Sequence, residues 1–86
     1  MQKPLLELFK YDACPFCVRV MDHISKLNIK VEMKDIMLEP ESLRRLVSDT
    51  GRRTVPCLYI DNNPMFESLD IMNWLSENRD KLEKGT

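Results

Sequence analysis

Glycine is scarce in this chain, at 2 of 86 residues. That excludes collagen-like and linker-dominated architectures, which need far more. Charge of one sign is also lacking: 13 basic residues stand against 14 acidic ones, a net charge of −1. Such a balance offers no broad electropositive field for nucleic acid or an anionic membrane surface, so neither is an expected partner. No apolar run approaches the roughly 20 residues that cross a bilayer. The lead-in Met1-Gln2-Lys3-Pro4 runs into Leu5-Leu6-Glu7-Leu8-Phe9, where Glu7 interrupts the run and no small-residue cleavage site follows. No signal peptide is expected, and the expected location is cytoplasmic. Cysteine is limited to Cys14, Cys17 and Cys57. An odd count with two of them three residues apart is not a disulfide framework, and it points to redox or metal chemistry.

What remains is an ordinary globular composition, 43% hydrophobic and 31% charged. The length suits one domain, residues 1–86, with a thin core. Leu5 to Phe9 reads as a strand. A helix opens at Cys14-Pro15, where proline suits the first turn. Phe16, Val20, Ile24 and Leu27 form its apolar stripe, and Asn28 ends it. Ile29, Val31 and Met33 alternate with Lys30 and Glu32 as a half-buried strand extending toward Ile36. Glu39-Pro40-Glu41 starts a second helix, with Leu43, Leu46 and Val47 inward and Gly51 as its stop. Val55 to Ile60 is a strand, Asp61 to Pro64 a turn, and Met65-Phe66 the returning strand. Ser68 is placed to cap a last helix, with Ile71, Met72 and Leu75 inward and Trp74 at the margin. The order is β-α-β-α-β-β-α, an α/β class with one right-handed β-α-β unit and an added hairpin.

Cys14-Pro15-Phe16-Cys17 carries the chemistry. It follows a strand and opens a helix, whose first N–H groups are unpaired and whose N-terminus is partially positive. Both features favour a thiolate at Cys14, at a place that solvent can reach. Cys17 lies one turn further in, within reach for a small disulfide ring. Cys14 is the expected attacking group and Cys17 the resolving one. Two plainer readings compete. Both cysteines can be small core residues. Alternatively Cys14, Cys17, Cys57 and His23 can be counted as four zinc ligands, but no second C-x-x-C knuckle exists and His23 falls on the charged face near Arg19 and Lys26. No metal site is expected.

Cys14-Pro15-Phe16-Cys17 resembles the dithiol active-site motif of glutaredoxins, and Gly51-Arg52-Arg53-Thr54-Val55-Pro56 resembles the segment ending in that family's Thr-Val-Pro. The resemblance covers essentially the whole chain. It implies a single thioredoxin-like domain with a four-stranded mixed sheet and a cis Pro56 facing the active cysteine. It also implies that the Val55 backbone pairs with an extended peptide, which in this family is glutathione. Tyr11, Phe16, Arg53, Thr54, Val55, Pro56, Glu67 and Ser68 are then the expected glutathione-binding residues, with Arg53, Arg52 or Lys10 meeting the glycine carboxylate. Glutathione is the implied co-substrate, with no tightly bound cofactor. Glutathionylated or disulfide-containing proteins are the implied partners, and the chain is expected to act as a monomer.

Three departures stand out. Phe66-Glu67-Ser68-Leu69-Asp70 replaces the usual Gly-Gly pair, and Glu67-Ser68 looks like the glutamate–serine pair in the N-terminal domain of glutathione transferases. Tyr11 stands where many glutaredoxins have a basic residue. Cys57 directly follows Pro56 and reads as a buried strand residue. The large all-helical domain of a transferase has no counterpart, so a conventional transferase is not expected. Other readings of the same motifs are a glutathione-ligated iron–sulfur cluster module, a thioredoxin-like reductase with a different electron donor, and a non-catalytic interaction domain.

Overall fold

The computed structural model describes residues 3–85. Met1 and Gln2 of the lead-in, and Thr86, lie outside the described residues. The elements are β1 (Leu6–Lys10), α1 (Pro15–Leu27), β2 (Glu32–Asp35), α2 (Pro40–Thr50), β3 (Cys57–Ile60), β4 (Asn63–Met65) and α3 (Ser68–Asn78), followed by a 3₁₀ turn at Arg79–Lys81. Among the described residues these strands form one mixed sheet in the order β2-β1-β3-β4. β1 pairs with β2 in parallel and with β3 antiparallel, and β3 returns antiparallel into β4.

β1 is central, so its alternating side chains serve two cores. Leu6 and Leu8 join Leu58 beneath Val20 and Ile24 of α1 and Ile71 and Leu75 of α3. Phe9 joins Cys57 and Tyr59 on the other face, against Ile36 and Leu46 from the α2 side. The Phe9 and Tyr59 rings lie 4.6 Å apart and tilted by 30°.

The helix boundaries follow local chemistry. Cys14 is the N-cap of α1 and Pro15 its first residue, while Asn28 ends the helix in the left-handed conformation (φ 52°). Gly51 ends α2 at φ 75°, a conformation that costs glycine nothing. Asp61 and Asn62, at φ 48° and 70°, make the two-residue hairpin turn that such residues favour. β4 therefore starts at Asn63, inside the expected turn, and Phe66 falls beyond its end. Pro64 is tolerated there because β4 is an edge strand.

Several expectations need correction. Phe16 is not in the α1 stripe: it is 54% exposed, and Cys17 takes the core position with Val20 and Ile24. β2 begins at Glu32 because Ile29 and Lys30 are claimed by the C-terminal segment, through an Ile29–Lys84 bridge and a 2.7 Å bond from the Lys30 N–H to the Glu83 carbonyl. Met33 is exposed on that edge strand. Val47 is likewise exposed, while Ser42 is buried on α2 and donates to Glu39 at 2.7 Å. β3 begins at Cys57, after Pro56, which has no N–H for the ladder. Ser68 is the first residue of α3 and not its cap; Glu67 holds the cap position, with no side-chain cap bond.

One charged pair lies inside the α2 layer. Glu7 is buried on β1, and its Oε2 accepts from Arg45 at 2.9 Å. Arg45 also donates to Asn62 at 2.9 Å, and its guanidinium lies 4.5 Å from the centre of the Tyr59 ring. Removing Arg45 alone strands a buried carboxylate. Arg45→Met is expected to lower stability by about 2 kcal/mol or more in urea unfolding, discounted for the partial exposure of Arg45. Pairing it with Glu7→Leu is expected to recover most of the loss. A loss under about 0.5 kcal/mol in the single variant would show that the pair is energetically idle.

Candidate active site

The site forms where β1 ends. The Cys14 N–H donates to the Tyr11 carbonyl at 3.2 Å, closing the turn between β1 and α1. The Val18 N–H then donates to the Cys14 carbonyl at 2.9 Å, the first bond of the helix. The Cys14 sulfur turns back over this first turn and accepts the Cys17 N–H at 3.4 Å. That inward turn leaves Cys14 only 5% exposed, and not at the solvent-accessible place expected of a helix N-cap. All three cysteines are free thiols.

Cys17 and Cys57 are fully buried. Burial pushes the Cys17 thiol up to about 12, assisted by its hydrogen bond with Cys14; the Tyr11 backbone N–H and the Lys10 ammonium act in the opposite sense. Burial likewise pushes Cys57 up to about 11. Both remain thiols at neutral pH.

The Val55–Pro56 peptide is cis. Val55 lies past the last β1–β3 rung, Phe9–Cys57, and so outside the ladder. Phe16, Thr54, Val55, Pro56, Glu67 and Ser68 together line a depression of about 210 Å³ beside the first turn of α1. Six of the expected glutathione-binding residues thus come from three separated segments to one place. Phe16 stands out from α1 with the Arg19 guanidinium 5.7 Å from its ring centre. Glu67 adopts φ 72°, unusual for a residue with a side chain, at the N-terminus of α3.

Two expected residues lie elsewhere. Tyr11 is half-buried against the Phe9–Tyr59 core. Arg53 borders a separate depression with Leu43, Arg44, Val47 and Ser48. Arg52 lies over the Phe66 ring at 4.2 Å. Lys10 is turned inward and paired with Asp12 at 2.7 Å and Asp35 at 3.3 Å, so it is not held out for a carboxylate. His23 bonds Ser76 at 2.7 Å, and among the described residues no group of three or more His, Cys, Asp or Glu is arranged to hold a metal ion.

Sequence reasoning missed the Lys10–Asp35 pair. The Asp35 Oδ1 accepts from the Met37 and Leu38 N–H groups at 2.8 and 3.2 Å, and its Oδ2 meets Lys10. Burial opposes the Asp35 charge, but those N–H groups and the ammonium outweigh it and hold the carboxyl below its ordinary value. Only the Lys10–Asp35 register of the parallel ladder reveals the pairing, and no local spacing signals it.

Two outcomes follow from these environments. With limiting iodoacetamide at pH 7, peptide mass spectrometry is expected to find the adduct on Cys14, with Cys17 and Cys57 spared; labelling of Cys57 first would contradict the burial pattern. The raised Cys17 and Cys57 values also make their contribution to stability complete below pH 9, and it is lost as pH rises through about 11 and about 12. Tyr59, also raised by burial and its bond to Asp49, adds in the same direction. The urea midpoint of the reduced protein should be flat from pH 7 to 9 and fall above it, less steeply in Cys57→Val. A midpoint unchanged up to pH 11 would contradict this.

Among the described residues no helix is long and apolar enough to cross a membrane. No curated protein sequence matches the chain significantly. Solved structures do. Wheat glutaredoxin is 27% identical with a TM-score of 0.65, over 84% of this chain and 70% of that one. A buckwheat glutaredoxin–glutathione complex is 22% identical with a TM-score of 0.70, over 88% and 72%. A glutathione transferase homologue from Drosophila mojavensis, with bound glutathione, is 21% identical with a TM-score of 0.76; the match covers 91% of this chain and only 36% of that one. These likenesses establish the thioredoxin-like fold. The glutaredoxin family profile matches residues 6–65, well over half of the chain. With its C-x-x-C pair at the N-terminus of α1 and that match spanning both motifs, the chain belongs to the glutaredoxin family of thiol–disulfide oxidoreductases.

Proposed function

We propose that the protein is a glutathione-dependent thiol–disulfide oxidoreductase working through Cys14. The observation that carries the reading is the convergence of Phe16, Thr54, Val55, Pro56, Glu67 and Ser68 on one depression beside the turn that Cys14 caps. A tripeptide laid there in extended form pairs its backbone with Val55, which the sheet leaves outside its ladder. Its γ-glutamyl carboxylate meets Ser68 and the uncapped N-terminus of α3, and its ammonium meets Glu67. Arg52, now over the Phe66 ring, and Arg53, now on a separate depression, are the cations that would have to turn toward the site to meet the glycine carboxylate.

The chemistry is a series of thiolate displacements. The Cys14 thiolate attacks the glutathione sulfur of a mixed disulfide. A bond forms between Cys14 and that sulfur, the old disulfide bond breaks, and the substrate leaves as a thiolate that takes a proton from solvent. A second glutathione thiolate then attacks the sulfur of the glutathione held on Cys14, releasing glutathione disulfide and restoring Cys14. On a protein disulfide Cys14 attacks one sulfur to form a mixed disulfide, and Cys17 then attacks Cys14, releasing the substrate as its dithiol and closing the Cys14–Cys17 disulfide, which two glutathione molecules later reduce. Reduced glutathione is abundant in the cytoplasm, the compartment that suits this cycle.

The test is glutathione-dependent reduction of a small glutathionylated disulfide. Cys14→Ser should fall to background, and Cys17→Ser should keep turning over. Ser68→Ala should raise the KM for glutathione about tenfold, the effect of one hydrogen bond to a charged group. Full activity in Cys14→Ser, or none in the reduced native chain, would end this reading.

A further inference from the structure

β1 and β2 are parallel, so α1 between them runs the opposite way, and its first turn lies over the end of β1. Leu6 and Leu8 face α1 from β1, and by alternation Lys10 shares their face. Cys17, Val20 and Ile24 form the buried stripe of α1 facing that row. The first residue of the stripe, Cys17, therefore lies over the last residue of the row, Lys10. The Lys10 side chain is only 11% exposed and is held from two sides, by Asp12 in the β1–α1 turn and Asp35 on β2.

A resolving thiol that is fully buried has a difficulty. It must become a thiolate to attack Cys14, in a place where burial opposes the charge. We infer that Lys10 is a positioning residue for this step: a clamped internal ammonium beneath Cys17 that favours its thiolate when the mixed disulfide on Cys14 is resolved. The inference rests on the proposed attack by Cys14 and assigns Lys10 to the second displacement only. In that displacement Cys17 loses its proton to solvent, its sulfur bonds to Cys14, and the bond from Cys14 to the substrate sulfur breaks. The electron pair leaves on the substrate thiolate, which recovers a proton from solvent. Lys10 keeps its proton throughout, and Asp12, then Asp35, hold it above its ordinary value against the opposing effect of burial.

The groups around the step are few. Cys14 faces Cys17 within α1, the Tyr11 N–H faces it from the turn, and Lys10 faces it from β1, backed by Asp12 and Asp35. Asp12 and Asp35 thus set how much of the ammonium's field reaches the sulfur. Asp12 is exposed, so its charge can be removed without disturbing the core.

The test mixes reduced protein with excess 5,5′-dithiobis(2-nitrobenzoate) across pH 6–10 in a Cys57→Ala background and follows the coloured thiolate by stopped flow. A first release proportional to reagent reports attack by Cys14. A second, independent of reagent and missing in Cys17→Ser, reports closure by Cys17. In Lys10→Met the second phase should be about tenfold slower across this pH range, the size of effect a nearby opposite charge exerts on the thiolate fraction. Lys10→Arg should restore the native rate. Asp12→Asn, which removes a screening charge from the surface, should speed it. A second phase at the native rate in both Lys10→Met and Asp12→Asn would overturn the assignment of Lys10 while leaving Cys14 chemistry intact. A missing first phase would overturn the Cys14 reading and this inference with it.

Discussion

Every part of the site hangs from the C-terminal end of β1. The Tyr11 carbonyl, one residue past the strand, receives the Cys14 N–H and so sets where α1 begins. The Lys10 carbonyl receives the Ile36 N–H and ties down the exit of β2. The Phe9–Cys57 rung fixes β3, and with it Pro56 and Val55 immediately upstream. Because β1 is hydrogen-bonded on both sides and buried on both faces, it has little freedom to move. Chain segments that are far apart in sequence are thereby held at the end of the central strand, with Cys14 fixed by the short turn that its own N–H closes.

Burying β1 on both faces has an electrostatic consequence, since the strand reads Leu6-Glu7-Leu8-Phe9-Lys10 and places one carboxylate and one ammonium inside. Each charge is met by an opposite one from a neighbouring element, but the two solutions differ. Glu7 meets Arg45 of α2, whose guanidinium also lies over Tyr59, so this charge is spread into packing. Its other oxygen, Oε1, is buried without a protein partner, which is a standing cost to stability. Lys10 meets Asp12 and Asp35, and the Oδ1 of Asp35 also accepts from the Met37 and Leu38 N–H groups. The first pair holds α2 to the sheet. The second sits at the end of β1, close enough for its ammonium to act on Cys17.

The sequence made the element order and the placement of the C-x-x-C pair at the start of α1 legible because both are local signals. Proline at the start of α1, Asn28 and Gly51 at helix ends, and alternation along β1 each report on their own neighbourhood. What it misplaced depended on distant partners. Ile29 looked like part of the second strand because its bridge to Lys84, and the bond from the Lys30 N–H to the Glu83 carbonyl, cannot be seen from spacing. Phe16 looked like core because it is aromatic and fits the helical period. In fact Cys17, a smaller residue, fills the narrow space over the end of β1, and Phe16 is left outside. Cys14 looked accessible because an N-cap usually is; its sulfur folds inward onto the Cys17 N–H.

The misplaced phenylalanine bears on how the site recognises anything. An aromatic ring 54% exposed at the mouth of the site costs solubility and contributes nothing to the core. Its neighbours in the depression are Thr54, Val55, Pro56, Glu67 and Ser68. Glu67 bears a second local cost, since a side chain at φ 72° is strained by about 1 kcal/mol. Folding alone selects neither feature. Both are explained if the depression is used in contact with a ligand that has an apolar stem to lie against Phe16 and a charged end to meet the N-terminus of α3. Because Glu67 is held left-handed, its side chain supplies no cap, and the first N–H groups of α3 are left for an outside acceptor. The strain and the uncapped helix are thus two aspects of one arrangement, and both belong to Glu67 at the lining of the depression.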